Sequence, residues 1–246
     1  MKTYDVAIIG GGVTGAAVAR ELSRYKLNIA LFEKEEELAF GVSKSNSGIV
    51  HPGTQNPPGL LKSRLCVEGN RLTRKISREL GVDFKEVGSL IIAFTEDDMP
   101  KLLKIKREAE MLNVPGLKIV DRAWLRGHEP NITGEVFSAL HAPTTGIISP
   151  YRLVYDLSEN AERNGVEFYT DAKVENIIFL NAPGTQSMPS FEIYTKKGLF
   201  KTRFVVNAAG LFADEISKMV GVDDFEIKPR KGEEFLLDKK RELEIL

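Results

Sequence analysis

Apolar positions along the chain alternate between two spacings. Tyr4-Asp5-Val6-Ala7-Ile8-Ile9 is a short run rich in β-branched residues that ends in Gly10, and it reads as a buried parallel strand. Residues 14–25 follow with helical spacing through Ala16, Ala17, Ala19 and Leu22, and residues 27–33 form a second apolar strand. Strand, helix and strand within ~30 residues make a βαβ unit of the dinucleotide-binding kind. Residues 39–58 turn to Gly, Ser, Asn and Pro and read as loop. Helical spacing returns at residues 59–80 through Leu61, Leu65, Leu72, Ile76 and Leu80. A strand at 87–94, an amphipathic helix at 97–112 and a strand at 136–141 follow. Pro150 opens a helix that runs to residue 164. Strands at 166–169 and 174–180, a polar loop at 181–190 and a hairpin of strands 191–194 and 199–206 come next. A helix at 213–220 and a strand at 233–237 complete the pattern.

The order implies a mixed α/β protein: a nucleotide-binding sheet, in which a parallel-type strand returns at 204–208, interleaved with an inserted antiparallel sheet. No internal repeat or low-complexity tract interrupts it. The final eight residues, Lys239 to Leu246, present apolar side chains without visible partners, so the expectation is a chain cut short.

Composition narrows the function classes. The 246 residues carry 34 Lys and Arg against 35 Asp and Glu, and 42% are apolar, which excludes bulk disorder and gives no support to nucleic-acid binding. One cysteine, Cys66, excludes an intrachain disulfide, and His51, His128 and His141 show no metal-ligand spacing. No run reaches the ~18 apolar residues of a membrane span, and the N-terminus reads as a strand and not as a signal peptide. The expected compartment is a reducing cytoplasm.

Three motifs carry chemistry. Gly10-Gly11-Gly12-Val13-Thr14-Gly15 fits G-x-G-x-x-G between a strand and a helix. Gly10 permits the tight turn, Gly12 lets a pyrophosphate approach the backbone, and Gly15 allows close packing of helix on strand. Glu33, at the end of the second strand, is placed to accept hydrogen bonds from ribose hydroxyls and to repel a 2′-phosphate, which argues against NADP. The run from Gly41 to His51 holds small hydroxyl and amide side chains able to bind a pyrophosphate or a flavin edge. Alone it reads equally as a solvated loop, and His51 alone as a structural histidine. The third, Val206-Asn207-Ala208-Ala209-Gly210 followed by Ala213-Asp214, brings an apolar strand into a small-residue turn; in isolation it is also an ordinary strand-to-helix connection.

Together these segments resemble the FAD-dependent oxidoreductases of the D-amino-acid-oxidase superfamily. The narrower likeness is to the branch of L-2-hydroxyglutarate oxidases and related glycerol-3-phosphate dehydrogenases. Leu65-Cys66-Val67-Glu68-Gly69-Asn70, Glu129-Pro130-Asn131-Ile132-Thr133-Gly134, Thr145-Gly146-Ile147-Ile148-Ser149 and Pro229-Arg230-Lys231-Gly232-Glu233 carry it, and the likeness runs over nearly the whole chain. It implies that Gly10, Gly12, Val13, Thr14 and Gly15 face an FAD pyrophosphate and that Glu33 and Lys34 lie by the adenosine. Ser43, Lys44, Asn46, Ser47 and Gly48 would line pyrophosphate and flavin. The backbone of Val174 would pair with adenine, Ala208, Ala209, Gly210 and Asp214 would form a second FAD-contacting turn, and His51 would sit beside the flavin ring as the catalytic base.

The resemblance further implies FAD-binding parts at 1–80 and 146–222, an inserted substrate-domain part at 81–145, and the start of a second at 223–246. The implied reaction is oxidation of a secondary alcohol on a small anionic substrate, with a protein or quinone as possible electron acceptor and peripheral membrane association allowed. Hydroxyglutarate oxidases follow their His with Ala-Gly and an aromatic pair. Pro52-Gly53-Thr54-Gln55-Asn56-Pro57 stands here, which places glycerol 3-phosphate ahead of L-2-hydroxyglutarate. A different class stays open, an FAD-binding subunit without catalysis of its own. Family members also continue past this length with a further glycine-rich flavin-contacting loop.

Overall fold

The computed structural model describes residues 1–180 and 190–233; of the loop expected at 181–190 only Ser190 is described, where it begins a strand, and of the strand expected at 233–237 and the ending only Glu233. In chain order the elements are β1 (Lys2–Ile9), α1 (Val13–Leu22), β2 (Ile29–Phe32), β3 (Ile49–Val50), α2 (Leu61–Leu80), β4 (Phe84–Glu86), β5 (Ser89–Ala93), α3 (Met99–Met111), β6 (Lys118–Asp121), α4 (Arg122–His128), β7 (Ser138–Ala142) and β8 (Gly146–Ile148). They continue with α5 (Pro150–Arg163), β9 (Glu167–Tyr169), β10 (Val174–Leu180), β11 (Ser190–Thr195), β12 (Gly198–Asn207) and α6 (Ala213–Met219). The described chain divides into two compact units, Met1–Asn46 with Pro150–Gly232, and Ser47–Ser149.

The first unit is built on a six-stranded sheet in the order β10-β11-β12-β1-β2-β9. β1 lies at its centre, parallel to both β12 and β2, and β9 extends the parallel part beyond β2. Successive side chains of β1 point to opposite faces, so both faces of the strand are apolar and covered. Val6 and Ile8 pack with Ala19 of α1 and Ala161 of α5. Ala7 and Ile9 pack on the other face with Phe32, Ile177, Ile193 and Ile216. The expected hairpin is β11 and β12, but it does not belong to a separate sheet. β12 is ten residues long and pairs antiparallel with β11 on one side and parallel with β1 on the other. Phe200, Lys201 and Thr202 pair on both edges at once, so β10 and β11 extend the nucleotide-binding sheet.

The second unit holds two three-stranded antiparallel sheets, β3-β8-β4 and β5-β7-β6, where one was expected. Leu140 and Ala142 of β7 pack with Leu102 and Ala109 of α3. Ala139 packs with Leu125 of α4 on the opposite face. α4 was missed by periodicity because it is only seven residues long; Asp121 caps it, accepting from the Trp124 N–H at 2.8 Å. α2 forms over the expected residues, and the structure decides its face. Leu61, Leu65 and Leu72 are exposed, while Ser63, Asn70 and Ser77, spaced seven residues apart, form the buried face. Those polar groups are satisfied locally: Ser63 Oγ donates to Pro57 O and Ser77 Oγ to Thr73 O. The expected boundary at residue 80 grouped this helix with the first unit; its contacts lie within the second.

Candidate functional site

The carboxyl ends of the parallel strands converge in the first unit. Gly10 N–H donates to Phe32 O at 2.8 Å, Ala208 N–H to Ile9 O at 2.9 Å, and Glu33 N–H to Tyr169 O at 2.8 Å. Open α/β sheets bind ligands at such a place. A cavity of about 500 Å³ opens there, within the ~300–1,000 Å³ of small-molecule pockets. Gly10, Glu33, Lys34, Val174 and Ala209, all expected at the site, line it. Phe32, Phe212, Ile216 and Met219 give it apolar walls, and Glu35, Lys173, Glu175, Lys196 and Glu215 complete it without having been anticipated.

Glu33 is buried at this mouth, with 9% of its surface exposed. One carboxylate oxygen accepts from Gly11 N–H at 2.6 Å and the other from Glu35 N–H at 3.0 Å. Each oxygen keeps a second lone pair, so the group is fixed in place and still able to accept from a diol. Lys34 Nζ lies 3.7 Å from the centre of the Phe212 ring and 3.4 Å from a Glu35 carboxylate oxygen.

The glycines show how tightly the turn is built. Gly10 has φ +110°, and a Cβ there would lie 2.4 Å from Ala208 O. A Cβ on Gly15 would lie 1.9 Å from Gly10 O, so α1 packs directly on the end of β1. Gly11, which the fingerprint leaves free, is also required, because a Cβ would meet Leu38 at 2.6 Å and the Glu33 carboxylate at 3.0 Å. Gly12 differs: its Cβ would touch only Ser43 Oγ, at 3.1 Å. Backbone at Gly12 is therefore open to an approaching group.

Ser43 Oγ accepts from Val13 N–H at 2.9 Å and so caps α1 from a loop. Among the described residues, the next two N–H groups of the helix, those of Thr14 and Gly15, have no such partner. An open backbone at Gly12, two unused donors at a helix N-terminus and a fixed carboxylate at the end of β2 together fit a dinucleotide.

Of the remaining expected residues, Asn46 folds back on its own loop and donates to Val42 O and Ser43 O at 3.1 and 3.0 Å. Lys44 Nζ lies over the Phe40 ring at 4.5 Å. Ala208 continues β12 into the turn, and Gly210 takes φ +57° at its crest. Asp214 is buried and accepts from Ile227 N–H at 3.3 Å, so it ties down the following segment; its neighbour Glu215 is the one that lines the cavity. One residue along a helix turns a side chain by ~100°, which sequence alone could not resolve.

Ser47, Gly48 and His51 belong to the second unit. Ser47 is exposed, and Gly48, at φ +70°, accepts from Ile148 N–H at 3.0 Å. His51 follows β3 and is half-buried, and that burial holds its imidazole below the ordinary histidine pKa. Neutral imidazole is thus favoured near pH 7. Among the described residues, no group of His, Cys, Asp and Glu side chains could hold a metal ion.

Fold and site define a dinucleotide-binding α/β protein whose acidic β2 terminus suits an unphosphorylated adenosine ribose. The chain belongs to the family of FAD dependent oxidoreductases (DAO), which it matches over residues 5–245. It is 42% identical over 236 residues to a glycerol 3-phosphate dehydrogenase of Caloramator mitchellensis, covering 96% of this chain and 48% of that protein. It is 34% identical over 248 residues to the mitochondrial L-2-hydroxyglutarate dehydrogenase of Caenorhabditis elegans, covering 98% of this chain and 55% of that one. Among solved structures, the dithionite-reduced L-alpha-glycerophosphate oxidase of Mycoplasma pneumoniae, with FAD bound, superposes with a TM-score of 0.84 at 30% identity, covering 92% of this chain and 59% of that chain. The chain spans about half the length of the curated relatives it matches. Among the described residues, no helix is long and apolar enough to cross a membrane.

Proposed function

We propose that this chain forms the nucleotide-binding part of an FAD-dependent dehydrogenase that oxidises the secondary alcohol of a small anionic substrate, glycerol 3-phosphate first. The observation that carries the reading is the fixed Glu33 carboxylate facing the cavity between the glycine turn and Val174, in a chain 42% identical to a glycerol 3-phosphate dehydrogenase. In this reading Glu33 and Lys34 receive the adenosine, Val174 pairs with adenine, and Gly10, Gly12, Val13, Thr14 and Gly15 cradle the pyrophosphate. Ser43, Lys44, Asn46, Ser47 and Gly48 border the pyrophosphate and flavin, and Ala208, Ala209 and Gly210 form the second turn. Asp214 serves that turn by anchoring the segment at Ile227.

When bound, the flavin supplies the hydride acceptor. The chain contributes the base: the unprotonated ring nitrogen of His51 takes the hydroxyl proton as the C–H bond is broken. Its lowered pKa keeps that nitrogen free near pH 7, where a positioned base is worth ~10²–10⁴ in rate. The electron acceptor in this reading is a protein or a quinone, the protein works in the cytoplasm or at the membrane surface, and the second unit contributes to the substrate domain.

A second reading, a dehydrogenase of L-2-hydroxyglutarate, rests on the 34% identical relative. Anaerobic mixing of the full-length, flavin-loaded protein with glycerol 3-phosphate, L-2-hydroxyglutarate or L-lactate tests both. Bleaching of the flavin absorbance by glycerol 3-phosphate at the lowest concentration supports the first. Preferential bleaching by L-2-hydroxyglutarate selects the second, and a flavin that no alcohol bleaches leaves an FAD-binding subunit.

A further inference from the structure

The buried face of α2 carries one side chain with an unusual set of partners. Asn70, 5% exposed, lies midway between Ser63 and Ser77. Its Nδ2 faces three main-chain carbonyls: Thr144 O at 2.8 Å, His51 O at 3.1 Å and Val50 O at 3.2 Å. Its Oδ1 accepts from Arg74 Nη2 at 2.5 Å, one turn along the helix. This pattern fixes the orientation of the amide, since a flip would set its oxygen against three other oxygens and its NH2 against a guanidinium. Arg74 in turn lies 3.1 Å from a Glu86 carboxylate oxygen on β4.

The segment held by Asn70 is otherwise stiff. Val50 pairs with Gly146 across β3 and β8. His51 O also receives the Cys66 thiol at 3.7 Å. Pro52 follows His51 and confines its backbone to extended conformations. Gly53 packs so closely on α2 that a Cβ would lie 2.5 Å from a Val67 methyl. The imidazole itself has no hydrogen-bond partner among the described residues, and burial lowers its pKa. Its direction therefore depends on the placement of its main chain and on the packing around the half-buried ring.

We propose that Asn70 is a positioning residue for His51: its amide, oriented by Arg74, fixes the main chain at Val50 and His51 and so aims the imidazole at the reacting alcohol. The proposal rests on the reading of His51 as the base, and its mechanical part stands on the second unit alone. Misplacing a reacting group by ~1 Å costs up to ~10²-fold in rate.

The test compares Asn70→Ala, Arg74→Gln, His51→Gln and the control Ser77→Ala, which removes a buried hydroxyl from the same helix without touching the His51 segment. Two measurements are made on the full-length protein: anaerobic flavin reduction by glycerol 3-phosphate, and NMR titration of the His51 ring in flavin-free samples. Asn70→Ala should slow reduction ~10- to 100-fold with flavin content unchanged, and Arg74→Gln less so in the same direction. In both, the His51 midpoint should rise toward the ordinary histidine value as the ring loosens into solvent. Ser77→Ala should change neither measurement.

A wild-type titration midpoint in both Asn70→Ala and Arg74→Gln overturns the proposal, as does an equal response from Ser77→Ala. If Asn70→Ala does not accumulate folded, Arg74→Gln decides the matter. If His51→Gln leaves the reduction rate unchanged, the base reading falls, while the titration still judges whether Asn70 sets the ring.

Discussion

The second and third glycines of the fingerprint, Gly12 and Gly15, allow binding to be separated from folding. A Cβ on Gly15 would lie 1.9 Å from Gly10 O, where ordinary contact begins at 3.4 Å. Gly15→Ala must drive α1 and the end of β1 apart by more than 1 Å, a separation that both covered faces of the sheet resist. Such overpacking costs about 3 kcal/mol or more, a large share of the ~5–15 kcal/mol that holds a domain together. Gly12 has φ −81° and ψ −176°, which any residue adopts, and its Cβ would meet only the Ser43 hydroxyl at 3.1 Å. A weaker helix cap is offset by the lower entropy of the unfolded chain, so Gly12→Ala should change stability by less than ~1 kcal/mol. The same methyl would stand in the path of the pyrophosphate. Losing one charge-assisted hydrogen bond costs ~1.5–3 kcal/mol, or about 10- to 150-fold in Kd. Calorimetry of the flavin-free variants and fluorescence titration with FAD read the two effects separately. Gly15→Ala should melt far below wild type, whereas Gly12→Ala should melt with it and bind FAD weakly. Wild-type affinity in Gly12→Ala would refute the assignment of the phosphate path, and a wild-type melting temperature in Gly15→Ala would refute the packing argument.

Other outcomes follow from single groups. His51→Ala should slow reductive bleaching ~10²–10⁴-fold with FAD retained, and stopped-flow mixing measures it. Because burial depresses the His51 pKa, the wild-type rate should fall only as pH drops through a midpoint below the ordinary histidine value; a midpoint above it contradicts the buried-base account. His51 and His141 are both depressed by burial, so the stability they allow is present above the unfolded-state value of ~6.5 and is lost as pH falls through the folded values. Acid titration of the melting temperature, compared with His141→Gln, checks that sign. Glu33→Gln sets an amide NH2 against the N–H of Gly11 or Glu35, so it should lower flavin-free stability by ~1–3 kcal/mol and weaken FAD binding. Leu140→Ala empties a fully buried site between β7 and α3 and should cost ~2–5 kcal/mol by denaturant melting, without altering FAD affinity.

The amino-acid order alone determined the central βαβ unit and the geometry of its glycine turn. An uninterrupted apolar strand, glycines at three spaced positions and an acid closing the next strand are local signals. Gly10 takes its positive φ, Gly15 sits against Gly10 O, and Glu33 closes β2, as their spacing implies. Gly11 escaped because its requirement comes from Leu38 and Glu33, more than twenty residues away. Periodicity also marked α2 as a helix through its leucines, without saying which face is buried. The protein buries the polar seam of Ser63, Asn70 and Ser77, where Asn70 supplies the donor that the carbonyls at Val50, His51 and Thr144 need once withdrawn from water. The same holds for β10 and β11, whose alternation fits any antiparallel sheet and whose membership of the first sheet follows from β12 pairing β11 on one edge and β1 on the other. Local sequence chose the elements and the nucleotide turn. Which face each element turns inward, and so which residue holds His51, depended on partners brought together by the fold.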